Sequence, residues 1–194
     1  MSCTIYSFLA CKAIESHLLW QDVQKRLEAL IEYCYHAGAA EKCDDMRCVV
    51  QRVDRARVIV GGEIISITGK GLLVFLGIEK GDTNRDADFL LEKIVNLRIF
   101  EDSQGKMNLS LVKISGEILI ISQFTLLADC GKGRRPSFMS AEEPEAARKQ
   151  YEYFVSLARE KIEHVATGEF QAMMKIESVN DGPVTMLLDS RKTF

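Results

Sequence analysis

The stretch GEILIISQFTLLADCGKGRRPSF, Gly116 to Phe138, decides how the rest of the chain is read. Ile118-Leu119-Ile120-Ile121 is a continuous apolar run directly after a glycine and an acid. A short run of this kind predicts a strand buried on both faces. Ser122-Gln123-Phe124-Thr125 then sets hydroxyls and an amide at the strand's end. A glycine-spaced cationic loop follows, Gly131-Lys132-Gly133-Arg134-Arg135-Pro136. A stiff strand that delivers polar groups to its end, beside a cationic loop, suits the reactive tip of a polyanion. A core strand followed by a solvated turn is the plainer reading, and local sequence alone favours it.

Upstream of this stretch the chain reads as strands. Cys48–Val53 and Ala56–Val60 predict two short strands, and Gly61-Gly62 a hairpin into a third over Glu63–Thr68. Gly69-Lys70-Gly71 is a turn, and Leu72–Ile78 a continuous apolar core strand. Thr83 with Asp86 three residues on has the form of a capping box, with Asp in place of Glu or Gln. The helix it opens runs to about Leu97, with Phe89, Leu90, Ile94 and Leu97 as the inward stripe. Arg98-Ile99-Phe100 is a short extended piece, and Met107–Val112 leads back to Gly116.

Downstream, Glu142-Glu143-Pro144-Glu145 places acids and a proline where a helix start favours them. That helix reaches about Ile162, with Ala147, Tyr151, Phe154, Val155 and Ala158 inward. Thr167-Gly168 reads as a break. Phe170–Val179 reads as a strand, Asn180-Asp181-Gly182-Pro183 as a turn, and Val184–Leu188 as the last strand. The expected fold is α+β: one β-rich domain, as two packed sheets or a barrel-like sheet, with two main helices.

The first 45 residues stand apart. They hold seven acids against four bases, so they carry the whole net charge of −3. They also hold Cys3, Cys11, Cys34 and Cys43, four of the six cysteines. Trp20–Tyr35 has helical spacing through Val23, Leu27, Leu30, Ile31 and Cys34, with Gly38 as a stop. Residues 1–45 are therefore expected to be a helical or disordered extension of unknown role, and residues 46–194 the working domain. Cys34, His36 and Cys43 fit no zinc-site spacing. Scattered single cysteines point to a reducing compartment and free thiols. With no apolar run of membrane-spanning length, no secretory signal and no Arg-rich leader, the expected location is the cytoplasm. A pI near 5.7 excludes a generally basic nucleic-acid coat, so any RNA contact must be a local patch.

Elimination narrows the chemistry. None of the three histidines, His17, His36 and His164, neighbours Ser122 or Thr125 in sequence, which argues against a Ser-His-Asp relay. No His, Cys or carboxylate cluster suggests a metal, and no glycine-rich nucleotide loop is present. No cofactor is expected. What remains is backbone: Gly182-Pro183 combines close approach at the glycine with a residue that has no N–H. On spacing alone it is a plain turn.

Taken together, the two stretches resemble a known family. Ser122-Gln123-Phe124-Thr125-Leu126-Leu127 and Asn180-Asp181-Gly182-Pro183-Val184-Thr185 are similar to the paired signature of D-aminoacyl-tRNA deacylases. Gln51-Arg52-Val53, Gly69-Lys70-Gly71-Leu72-Leu73, Asn96-Leu97-Arg98-Ile99-Phe100, Gly105-Lys106-Met107-Asn108 and Arg134-Arg135-Pro136-Ser137-Phe138 resemble it too, in order, so that the likeness covers Met46 to Arg191. The resemblance implies hydrolysis of the ester of D-aminoacyl-tRNA, and of mischarged glycyl-tRNA, as a proofreading step in translation. It implies a homodimer with sites at the subunit interface and the tRNA acceptor end as partner, with no membrane and no DNA. Gly182 and Pro183, oriented by Arg52, would turn L-amino acids away with backbone carbonyls. Ser122, Gln123, Phe124 and Thr125 would line the catalytic pocket. Lys132, Arg134 and Arg135 are candidates for phosphate contacts, with a solvated turn as the alternative. Two rival readings stand: a related deacylase with a trans Gly-Pro bond acting on some L-aminoacyl-tRNA, and a non-catalytic tRNA-binding module.

Overall fold

A computed structural model describes residues 46–131 and 133–191. The extension over residues 1–45, its expected helix and Lys132 lie outside the described residues. The elements in order are β1 (Arg47–Val60), β2 (Glu63–Thr68), β3 (Gly71–Gly77), α1 (Asn84–Asn96), β4 (Phe100–Glu101) and β5 (Met107–Leu109). There follow β6 (Glu117–Ser122), a 3₁₀ turn (Phe124–Leu127), α2 (Pro144–Lys161), β7 (Val165–Thr167) and β8 (Met174–Asp189).

The apolar run over Ile118–Ile121 is β6, and it runs parallel to β3 on one side and to β7 on the other. Side chains alternate across a strand. Ile118 and Ile120 therefore join Leu72, Val74, Leu90 and Phe154 in the core beneath the helices. Leu119 and Ile121 join Val53, Val58 and Leu73 on the opposite face. All four residues of the run are fully buried, each worth about 1.5–3 kcal/mol of transfer free energy. The connections β3–α1–β6 and β6–α2–β7 are crossovers between parallel strands, and both helices pack against the same core cluster.

One sheet has the order β2-β1-β3-β6-β7, with β8 paired along β1, and β4 and β5 form a second, two-stranded sheet. Ser66 Oγ of β2 donates to Thr167 O of β7 at 2.8 Å, so the large sheet curls until its ends meet and is nearly closed. The expected α+β, barrel-like domain with two main helices is what is found. The Gly61-Gly62 hairpin is present, with Val60 opposite Glu63 and both glycines at positive φ. So is the capping box, with the Thr83 N–H donating to Asp86 Oδ2 at 2.9 Å.

Several boundaries differ from expectation. Cys48–Val53 and Ala56–Val60 are one continuous 14-residue strand, because Asp54 and Arg55 point out while β8 pairs across the join. Phe89 is exposed, and the buried stripe of α1 is Ala87, Leu90, Leu91, Ile94 and Val95. Met107–Val112, given no element in the sequence, begins with the three residues of β5. The expected break at Thr167-Gly168 is present, but it ends a strand that was not expected, β7, which is too short to show a period. The stretch read as strand, turn and strand over Phe170–Leu188 is a turn over residues 170–173 followed by a single 16-residue strand, Met174–Asp189, with Gly182-Pro183 inside it. Among the described residues no helix is long and apolar enough to cross a membrane.

Candidate active site

The first half of the site lies where β3 and β6 end. Leu76 pairs with Ser122, and the next residue stays attached through the Gln123 N–H to Leu76 O bond of 2.7 Å. The chain then turns at once into the 3₁₀ segment, anchored by the buried Leu127. The leading N–H groups of such a turn have no acceptor within it, and here they belong to Phe124 and Thr125. The Gln123 side-chain amide donates to Thr125 Oγ1.

Beside this turn is a cavity of about 560 Å³. Ser122, Gln123 and Phe124 form one wall, and Glu142, Phe170, Met173 and Met174 help form the rest. Of its described lining residues only Glu142 is ionisable. Thr125 is exposed at the turn and is not among the residues lining this cavity. His164 sits at the other end of β6, 3.4 Å from Glu117 Oε2, roughly 16 Å of strand away from Ser122.

The basic loop is fixed next to the same turn. Asp129 and Ser137 exchange backbone bonds of 2.8 and 2.9 Å, which closes the loop at its neck. Phe138, just beyond, packs edge-on against Phe124 with ring centroids 5.0 Å apart. Arg134 and Arg135 are both exposed on the loop so held.

The second half is a bulge in β8. Gln51 pairs with Thr185 and Val53 with Asn180, so Arg52 alone opposes the four residues Asp181–Val184. The bulge carries Gly182 at φ 118° and a cis Gly182-Pro183 bond. The trans bond required by the rival L-specific reading is therefore absent. A Cβ at Gly182 would meet Val184 Cγ2 at 2.8 Å and Arg52 Nη2 at 3.1 Å, and a positive φ disfavours side chains in any case.

Arg52 is only 4% exposed. Its Nη1 donates to Ile99 O at 2.6 Å, and its Nε lies 2.9 Å from Asp181 Oδ2 and 3.3 Å from Asp181 O. Asp181 and Ile99 had no sequence signal as partners of Arg52, since pairing over 129 residues is set by the fold. Phe170, Met173 and Met174 were missed for a similar reason: their run reads only as strand, and their cavity forms by packing against α2.

Within one chain the two halves do not meet. Arg52 pairs with Leu72, and Leu72 with Ile118, so the bulge is level with Ile118 rather than Ser122. It lies roughly 13 Å short along the strands and about three strand spacings, ~14 Å, across. Among the described residues no group of three or more His, Cys, Asp or Glu side chains is placed to hold a metal ion.

Residues 49–189 match the family model described as D-Tyr-tRNA(Tyr) deacylase. A D-aminoacyl-tRNA deacylase of Syntrophus aciditrophicus (strain SB) is 65% identical over 149 residues, 77% of this chain and 100% of that protein. A protein of the same name from Thermosipho melanesiensis (strain DSM 12029 / CIP 104789 / BI429) is 59% identical over 150 residues, again 77% of this chain and all of its own. The solved structure of the c-Myc DNA Unwinding Element Binding Protein superposes with a TM-score of 0.71 at 44% identity, covering 74% of this chain and 97% of that one. A structure of a probable eukaryotic D-amino acid tRNA deacylase matches with a TM-score of 0.62 at 18% identity, a likeness of fold, over 75% of this chain and 99% of that one.

Proposed function

Because the chain belongs to the D-Tyr-tRNA(Tyr) deacylase family, we propose that it hydrolyses the ester of D-aminoacyl-tRNA, freeing the D-amino acid and tRNA as a proofreading step in translation. The ester lies in the groove at the end of β6. Water adds to its carbonyl carbon, and the bond to the ribose oxygen of the terminal adenosine then breaks, that oxygen taking up a proton. The leading N–H groups of the 3₁₀ turn, on Phe124 and Thr125, receive the negative charge that forms on the carbonyl oxygen. One such donor is worth about 3–4 kcal/mol in other hydrolases. Among the described residues the groove has no histidine to activate a side-chain nucleophile, so Ser122 and Gln123 shape it and hold water, while Thr125 at the exposed turn accepts from the Gln123 amide. The substrate's own 2′-hydroxyl assists.

Chirality is sensed by the Gly182-Pro183 bulge. Its carbonyls face the substrate's amino group and Cα and collide with an L side chain, while a D side chain points away. Rejection by fixed backbone is nearly blind to side-chain identity. The achiral glycyl ester passes the same test and is hydrolysed. The observation that carries this reading is the buried Arg52, which grips Asp181 from inside and fixes the bulge beside it. Since bulge and groove lie far apart in one chain, two copies form a homodimer in which each lends its bulge to the other's groove. Lys132, Arg134 and Arg135 contact acceptor-end phosphates. Residues 46–194 form the catalytic domain and residues 1–45 an appendage to it, and the protein acts in the cytoplasm.

The test is deacylation of D-Tyr-tRNA, L-Tyr-tRNA and Gly-tRNA side by side. Hydrolysis of the D and glycyl esters with the L ester untouched is expected. Binding of tRNA without release of any amino acid would leave a tRNA-binding module instead.

A further inference from the structure

The bulge is tethered from two sides. Arg52 and Gln51 are neighbours on β1, so their side chains leave the strand on opposite faces. Arg52 holds Asp181 from the buried face. On the exposed face the Gln51 amide donates to Thr185 Oγ1 at 3.3 Å, and the Asn180 amide donates to the same oxygen at 3.0 Å. Asn180 Oδ1 also accepts the Val184 N–H, at 3.3 Å. Asn180 and Thr185 are the last paired residues on either side of the bulge, and Gln51 is the β1 partner of Thr185. The residues between them lack regular pairing with β1, and these side-chain bonds stand in for the missing ladder.

We propose that Asn180, Thr185 and Gln51 form a polar clamp that sets the enzyme's D-over-L selectivity by locking the neck of the Gly182-Pro183 bulge. They are positioning residues, and they touch no substrate. The clamp rests on the reading of the bulge as the chirality sensor. A carbonyl excludes an L side chain only if it cannot retreat. With the clamp cut, the bulge keeps only its inner anchors, the Arg52–Asp181 pair and the buried Val184, and the exposed Gly182 and Pro183 can yield to an incoming Cβ. Thr185 is the centre of the clamp because its single oxygen accepts both amides, using both lone pairs.

Deacylation of D-Tyr-tRNA and L-Tyr-tRNA by the full chain is measured for wild type, Thr185→Val, Thr185→Ser and Asn180→Ala, each checked for an unchanged circular dichroism spectrum. Thr185→Val keeps the shape and loses the acceptor, and Thr185→Ser keeps the acceptor. The D-over-L ratio should fall about tenfold in Thr185→Val and Asn180→Ala, a factor that the loss of one or two hydrogen bonds can supply. The rate on the D ester should change less than about threefold, and Thr185→Ser should restore the ratio. A D-over-L ratio unchanged in both variants, or an equal loss on both esters, overturns the clamp. A wild-type enzyme without any D-over-L preference overturns the bulge reading itself, and the clamp with it.

Discussion

Arg52 is a buried guanidinium on a strand, and its two anchors come from segments remote in sequence, Ile99 and Asp181. Removing it leaves the Ile99 carbonyl unpaired in the interior and Asp181 without its cation. Arg52→Met should destabilise the domain by about 2–3 kcal/mol, read from urea denaturation. Arg52→Lys should recover little, because an ammonium cannot span both anchors as the fork does. Asp181→Asn should cost under about 1 kcal/mol, since that side chain is 35% exposed and reaches water. Thr125 is the opposite case: an exposed hydroxyl whose oxygen accepts from Gln123. Thr125→Ala should keep measurable single-turnover deacylation of D-Tyr-tRNA, because in the proposed mechanism water and not this hydroxyl attacks; complete loss with an intact fold would make Thr125 the nucleophile. At this scale the sequence was legible where chemistry is local. Ser122–Thr125 stand out because polar groups interrupt an apolar run. Asp181 does not, because an acid beside Asn and Gly reads as an ordinary turn.

At the scale of elements, legibility followed burial. β3 and β6 were readable since both of their faces are covered, which leaves an unbroken apolar run. β7 was not, because three residues cannot show a period. β8 was split in two because Gly and Pro punctuate turns far more often than they ride on a bulge inside a long strand. The start of α1 was legible from Thr83 and Asp86 alone. Burial opposes the charge on Asp86, but bonds from the Thr83 backbone and hydroxyl and from Ser190, with Arg191 nearby, outweigh it and hold the carboxyl below its ordinary value. A carboxyl lowered in the folded state stabilises above its unfolded pKa, and that contribution fades as pH falls through the folded value. Asp86→Asn should therefore cost about 1 kcal/mol at neutral pH. The gap between variant and wild type should narrow below about pH 4 in paired urea titrations. A gap that persists at low pH would mean that the charge of Asp86 contributes nothing.

At the scale of the molecule, the relatives align over their whole length with about three quarters of this chain. Met46–Phe194 alone should therefore fold, dimerise and deacylate D-Tyr-tRNA at close to the full-length rate, and an inactive truncation would give residues 1–45 a part in the site. The placement of the two half-sites leads to a sharper expectation. In the proposed homodimer, a bulge roughly 13 Å along and ~14 Å across from the groove of its own chain serves the groove of its partner. Ser122→Trp fills the groove of the protomer that carries it. Gly182→Val forces a side chain onto a glycine at φ 118°, on the bulge that the proposed dimer exchanges. Each variant alone should be inactive. After the two are mixed and allowed to exchange subunits, half of the dimers are heterodimers. In each of these, one site joins an intact groove to an intact bulge, while the other joins the two damaged halves. The mixture should recover about a quarter of the wild-type rate. If each chain supplied both halves of its own site, every site would remain damaged and mixing would restore nothing, so the recovered rate decides whether the bulge works on its own protomer or on its partner.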